Sequence, residues 1–328
     1  MSDLVVSAYA AATGSHVLER PATARFRAFA HHFDESAVRA GLAASGLRYL
    51  GRSEQGFPPL LAAIHDPPPG LYVRGSASLD VLHVAAVAIV GARACSAYGR
   101  HVARMLGREL ASAGILVVSG LARGVDGEAH RGALEAGGRT VAVLGCGVDR
   151  DYPAAHAELA ARLVAGGGLI VSEYAPGVEP APWRFPARNR IVAGLCSATV
   201  VVEARERSGA LITADFALEE GREVFVVPGE ITAALSVGSN ALLRLGATPL
   251  LAAADVLSSL GVEPPAPSVP ELHGDVAVVL ARVRERPAGA DELARATGLD
   301  AAGLAAALCE LELLGLVSSE EGVYRAGG

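Results

Sequence analysis

Lysine is missing from this chain. Among 328 residues, all 28 basic side chains are arginines, set against 35 acids for a formal net charge of −7. A GC-rich coding bias would produce such a composition, but its consequence is physical: a guanidinium binds phosphate bidentately, which an ammonium cannot do. The acidic balance excludes a protein coated in positive potential, so any polyanion must be held locally. No apolar run reaches the ~20 residues that a membrane span requires. The N-terminal MSDLVVSAYAAATGSHVLER lacks a basic segment ahead of its brief apolar patch, so no secretory signal is expected and the cytoplasm is the expected compartment. The four cysteines, Cys95, Cys146, Cys196 and Cys309, are scattered without a CxxC pair and read as buried reduced thiols. Nine histidines form no HExxH motif and no ligand cluster, so neither a metal nor a cofactor is expected.

Apolar side chains make up 51% of the chain, enough for a folded protein of two or three domains. Residues 1–82 carry helical runs, including ERPATARFRAFAHHF and ESAVRAGLAASG, and read as a helical N-terminal domain of the SAM or helix-hairpin-helix kind. It ends in FPPLLAAIHDPPPGLYVRG, whose prolines exclude one continuous helix and suggest an extended strap. Over residues 83–260, the strands VAIVG, ILVVSG, TVAVLG, LIVSE, TVVVE and EVFVVPG alternate with helices. Near-continuous apolar strands imply a parallel sheet covered on both faces, an α/β doubly wound, Rossmann-like domain. GVEPPAPSVP, residues 261–270, is a stiff linker. In residues 271–328, three helical segments and two short strands suggest a winged helix.

In an open parallel sheet, ligands bind outside the carboxyl ends of the strands. The loops at those ends hold Gly91 and Arg93 (GAR), and Ser119, Gly120 and Arg123 (SGLARG). They also hold Gly147 and Arg150 (GCGVDRDYP), and Arg205, Arg207, Ser208 and Gly209 (EARERSG). The stretch PWRFPARNR adds Trp183, Arg184, Phe185, Arg188, Asn189 and Arg190, including the only tryptophan. In SGLARGVDGEAH, from Ser119 to His130, glycines open a turn between a strand and a helix, so free backbone N–H groups would make an anion cradle. Asp126 reads as a first-turn acid and His130 as a packed histidine. Arginines interleaved with aromatics suit a single nucleic-acid strand, where each stacked base contributes about 1–3 kcal/mol.

These motifs, taken in order, closely resemble the DprA (Smf) DNA-processing family. The resemblance runs from about residue 57 to 250 through VAIVGARACSAYG, VVSGLARGVDGEAHRGALEAGGRTVAVLGCGVDRDYP, FPARNRIVAGLC, VVVEARERSGALITADFALEEGREVFVVPGEI and GSNALLRLGATPL. It implies an extended Rossmann domain that binds single-stranded DNA without catalysis. It further implies protection of incoming strands during natural transformation, loading of RecA, and a homodimer. It puts Arg93 on the DNA backbone, gives Ser119 and Gly120 hydroxyl and backbone contacts, and lines the same pocket with Gly147. Trp183 to Arg190 would form a basic and aromatic wall, with Arg184 standing in for a lysine common in the family.

Two other readings compete. A nucleoside monophosphate phosphoribohydrolase would use Glu219 or Glu220 of SGALITADFALEEG, but the PGGxGT signature of that class is missing. A protein-interaction scaffold would turn the arginines toward an acidic partner. Neither GxxxxGK[ST], GxGxxG nor GxSxG occurs at the strand ends, so no enzyme is expected. Residues 271–328 hold ten acids and five arginines, a balance of −5, and the third helix there carries Asp300, Glu310 and Glu312 with no base. Such a module repels a phosphate backbone and is expected to contact protein.

Overall fold

The computed structural model describes residues 2–14, 21–263, 272–314, 316–320 and 322–326. The chain divides into two compact units, residues 1–264 and 265–328. The first unit begins with helices α1 (Asp3–Thr13), α2 (Ala24–His32) and α3 (Glu35–Ala44). Strand β1 (Leu47–Gly51), the one-turn helix α4 (Pro59–Ala62) and strand β2 (Gly70–Arg74) follow. Then come β3 (Ala86–Val90), α5 (Ala97–Ser112), β4 (Leu116–Ser119), α6 (Val125–Glu135), β5 (Thr140–Val143) and α7 (Ala157–Ala165). The alternation continues with β6 (Leu169–Ser172), α8 (Arg184–Gly194), β7 (Ala198–Val201), α9 (Gly209–Glu219) and β8 (Glu223–Val226). Helix α10 (Val237–Arg244), the two-residue strand β9 (Thr248–Pro249) and α11 (Ala253–Ser259) complete the unit.

All six strands read from the sequence form, in one sheet ordered β1-β2-β6-β5-β4-β3-β7-β8-β9. From β6 through β9 every neighbouring pair is parallel. The chain steps outward from β3 to β6, then returns to lay β7 on the other side of β3. That reversal is the topological switch point, where a doubly wound sheet opens a crevice at its carboxyl edge. Side chains sort by parity along each strand. Ala86, Ala88 and Val90 of β3 face one apolar cluster with Ile191 of α8 and Ala214 of α9. Val87 and Ile89 face the other with Leu106 of α5 and Ala129 of α6. Strands apolar on both faces thus bury both, which is why they read as unbroken hydrophobic runs.

The boundary at residue 82 needs correction. β1 and β2 belong to the central sheet: β2 pairs antiparallel with β6, and β1 pairs antiparallel with β2. Only α1 to α3 fit the helical description. GLYVR, at the end of the proline-rich strap, is a sheet strand because its backbone completes the hydrogen bonding of β6, a long-range pairing that proline content does not reveal. Cysteine burial is also partial. Cys95, Cys146 and Cys196 are buried, with thiol pKa values raised by that burial, whereas Cys309 is exposed.

The second unit orders α12 (Gly274–Glu285), β10 (Ala288–Gly289), α13 (Ala290–Thr297), α14 (Ala301–Leu313), β11 (Val317–Glu320) and β12 (Val323–Ala326). Its three strands pair as β10-β12-β11 around a small core of Val279, Leu280, Leu293, Leu304, Leu308 and Leu311. This is the expected winged-helix arrangement. The acidic residues of α14 stay outside: Glu310 and Glu312 are exposed, and Asp300 caps the helix through the amide of Gly303. Most of linker 261–270 lies outside the described residues. Among the described residues, no helix is long and apolar enough to cross a membrane.

His130 is fully buried, and its Nδ1 sits 2.7 Å from Thr140 Oγ1, which itself donates to the Val117 carbonyl. The histidine therefore donates from Nδ1 and leaves Nε2 unprotonated, and burial lowers its pKa to about 3. The unfolded chain takes up this proton below about pH 6.5 and the folded one does not, so stability falls as pH drops from 6.5 toward 3. The expected contribution is about 1.4 kcal/mol per pH unit below 6. Urea unfolding of wild type and His130→Gln between pH 6.5 and 5 should show a flatter dependence in the variant; parallel curves would exclude this origin.

Candidate nucleic-acid interface

A cavity of about 220 Å³ opens at the switch point, lined by Gly91 and Arg93 after β3, Gly120 and Asp126 after β4, and Phe185, Arg188 and Asn189 of α8. Ser208, Gly209 and Thr213 at the start of α9 complete it. Four loops distant in sequence meet there because parallel strands place all their carboxyl ends on one edge. Eight of the fifteen residues expected at the interface line this cavity: Gly91, Arg93, Gly120, Phe185, Arg188, Asn189, Ser208 and Gly209.

Arg93 is exposed, with its guanidinium carbon 5.4 Å from the Phe185 ring centroid. Phe185 in turn stacks on Tyr152, with centroids 5.2 Å apart and planes 24° apart. Gly145 makes this possible, since a Cβ there would press on the Phe185 ring at 3.0 Å. A cation, an aromatic ring and a second, exposed ring are therefore in consecutive contact. Gly209 opens α9 beneath Ser208, whose hydroxyl accepts from the Ala210 amide. A Cβ on Gly209 would meet nothing within 4 Å, so the fold does not require glycine there; its absence of side chain keeps the positive end of α9 uncovered.

Arg188 is buried and donates through Nη1 to the carbonyls of Gly120 and Val143. Its burial lowers its pKa to about 10, and Asp126 opposes that shift. Asp126, also buried, accepts from the amides of Gly120 at 3.1 Å and Ala122 at 3.3 Å. Burial raises its pKa, against the Arg188 charge and those two amides. A Cβ on Gly120 would collide with both Arg188 and Asp126, which is why this turn holds glycine. The anion cradle expected from SGLARG is thus filled by the chain's own carboxylate. Asn189 donates from Nδ2 to the Gly209 carbonyl, tying α8 to α9.

The other seven residues lie elsewhere, and three of them, Ser119, Gly147 and Arg190, are closed off. Ser119 is fully buried and spends its hydroxyl on the Ile89 carbonyl, so it offers no contact to a ligand. Arg190 forms a bidentate pair with Glu173 at 2.7 Å, both side chains only 5% exposed, and also donates to the Asp66 carbonyl. Arg190 is a structural clamp between α8, the end of β6 and the segment before β2. Gly147 is buried against the 175–178 loop, with its amide on the Val178 carbonyl. Arg150 pairs with Glu179 at 2.7 Å. Arg184 lies over Tyr174 and Trp183, at 5.2 and 5.0 Å, forming a separate patch with the half-exposed tryptophan. Arg123 is exposed on the same edge. So are Arg205 and Arg207 after β7, and none of these three is ion-paired among the described residues.

Tyr152 and Thr213 are not singled out by the sequence, and Asp126, read as a first-turn acid, instead folds back onto the Gly120 and Ala122 amides. Tyr152 had a signal, being an aromatic in a strand-end loop beside Arg150. Glu219 and Glu220, the acids a phosphoribohydrolase would use, sit at the far end of α9 from the cavity, and Glu220 accepts from the His65 amide.

Residues 48–261 match the family described as DNA recombination-mediator protein A, and residues 263–322 match the DprA winged helix domain. The chain belongs to the DprA (Smf) family. It is 41% identical to Protein Smf of Escherichia coli over 280 residues, covering 82% of this chain and 74% of that one. It is 44% identical to DNA processing protein DprA of Streptococcus pneumoniae over 202 residues, covering 62% and 70%. The fold is similar to the crystal structure of the Streptococcus pneumoniae DprA, with a TM-score of 0.66, 35% identity and coverage of 78% of this chain and 92% of that one. It is also similar to a structure of DNA processing protein A from Helicobacter pylori, described for its single-stranded DNA binding mode. There the TM-score is 0.58 at 31% identity, covering 65% and 95%. The DprA family thus supplies both the central domain and the winged helix seen here.

Removing one partner of the buried Arg190–Glu173 pair strands the other charge away from water. Glu173→Ala should cost about 3–5 kcal/mol of unfolding free energy in urea titrations. A loss under about 1 kcal/mol, the range of an exposed ion pair, would contradict the clamp.

Proposed function

We propose that this chain is a single-stranded DNA-binding protein and that the strand lies along the carboxyl edge of the sheet. The observation that carries this reading is the contact of Arg93 with Phe185 beside the start of α9, with Tyr152 stacked on Phe185. Exposed guanidiniums suit the phosphodiester backbone, and the rings suit unstacked bases of any identity. The strand-end arginines without acidic partners concentrate positive charge on one border of an acidic molecule. Within this reading the protein shields incoming single strands during natural transformation and passes them to the RecA recombinase, acting as a homodimer in the cytoplasm. Membership of the DprA family and the Helicobacter pylori relative's described binding mode support it.

Recognition of this kind is electrostatic and tolerant of sequence. Affinity should fall with salt at a log–log slope of about −0.7 per phosphate neutralised. The winged helix contributes little, because Arg282 and Arg286 are already paired with Glu285 and Glu292, while Glu310 and Glu312 face solvent.

Arg93→Ala should weaken binding of a labelled oligothymidylate about tenfold or more in fluorescence anisotropy, with an unchanged circular dichroism spectrum. Deleting residues 265–328 should change it by less than about threefold. Unaltered affinity in Arg93→Ala would remove that residue from the path, and a large loss on truncation would overturn the charge argument.

A further inference from the structure

Two strand-to-helix turns on the carboxyl edge already have amides occupied by the chain's own carboxylates. At α6, Asp126 Oδ2 accepts from the amides of Gly120 and Ala122. At α5, Glu203 accepts from the amide of Ser96 at 2.9 Å and from its hydroxyl at 2.5 Å. Neither carboxylate is a mobile surface group, since Asp126 is 7% exposed and Glu203 5%. Only Asp126 borders the cavity at the switch point.

Without that carboxylate, the same cavity would be a phosphate site by composition. It joins the Arg188 and Arg93 guanidiniums, two loop amides and the start of α9 in about 220 Å³. With it, those amides are already occupied by a buried carboxylate, which also lies beside the Arg188 guanidinium. A phosphate could take those amides only by displacing the buried carboxylate, and a mononucleotide has a single phosphate with which to offset that cost. A strand offsets it through further phosphates on the exposed arginines.

We infer that Asp126 determines specificity: it stands where a free phosphate would sit, so the pocket rejects inorganic phosphate and mononucleotides and admits a continuous phosphodiester strand. The inference rests on the single-strand reading given above and deepens it. It also gives the buried Asp126–Arg188 arrangement a purpose beyond holding the loop: intracellular nucleotides do not compete with the strand.

The test compares wild type with Asp126→Asn by isothermal titration with thymidine monophosphate and with inorganic phosphate at low salt. Asp126→Ser, which keeps an oxygen for the loop amides, substitutes if the asparagine variant does not fold. Wild type should show no saturable submillimolar binding of either ligand, and the variant should bind thymidine monophosphate about tenfold or more tightly than wild type. Equal affinities, or submillimolar binding by wild type, would overturn the inference. A parallel titration of wild type with oligothymidylate keeps the two readings apart, since its failure would sink strand binding and leave the monophosphate comparison readable.

Discussion

The buried guanidinium of Arg188 holds the edge of this molecule together. It reaches from α8 to the carbonyls ending β4 and β5, and it faces Asp126, whose carboxylate fixes the turn into α6. A charge in that position costs several kcal/mol in lost hydration and persists only when paired and hydrogen-bonded. Satisfying it requires α8 to sit at one height over the sheet. That height delivers Phe185 onto Gly145, brings Arg93 over the Phe185 ring, and lets Asn189 reach the start of α9. Local electrostatics thus set the geometry of the whole rim.

The same logic divides the arginines into two kinds. Arg188 and Arg190 are buried and bind their own chain, one to loop carbonyls and the other to Glu173. Arg93, Arg123, Arg205 and Arg207 stand in solvent at the ends of three parallel strands. A lysine could not replace the buried pair, because planar donors on several nitrogens are needed to serve two or three acceptors at once. The guanidiniums in solvent serve any phosphate that comes within reach. Arginine is thus a structural residue on α8 and a solvent-facing one in the loops around it.

Much of this was legible in the residues. The six strands, the doubly wound sheet and the winged helix follow from apolar runs and their spacing, since both-face burial leaves an unmistakable hydrophobic signature. The convergence of glycine and arginine loops followed from parallel strands alone. What stayed hidden depends on partners far apart in sequence. GLYVR becomes a strand only because β6 has an open edge, and the fates of Arg188 and Arg190 turn on carbonyls and a carboxylate that fold beside them. RNR offers three polar side chains with nothing local to say which are buried. Likewise the loop amides of SGLARG looked open until Asp126, six residues after Gly120, folded back onto them.

Amide hydrogen exchange with and without an oligothymidylate tests the placement of the strand most directly. Protection should appear in residues 91–93, 184–189 and 205–210, and it should leave residues 59–66, at the far end of α9, unchanged. Protection confined to the winged helix, or spread over 59–66 with none at the Arg93 loop, would contradict a strand lying on the carboxyl edge of the sheet.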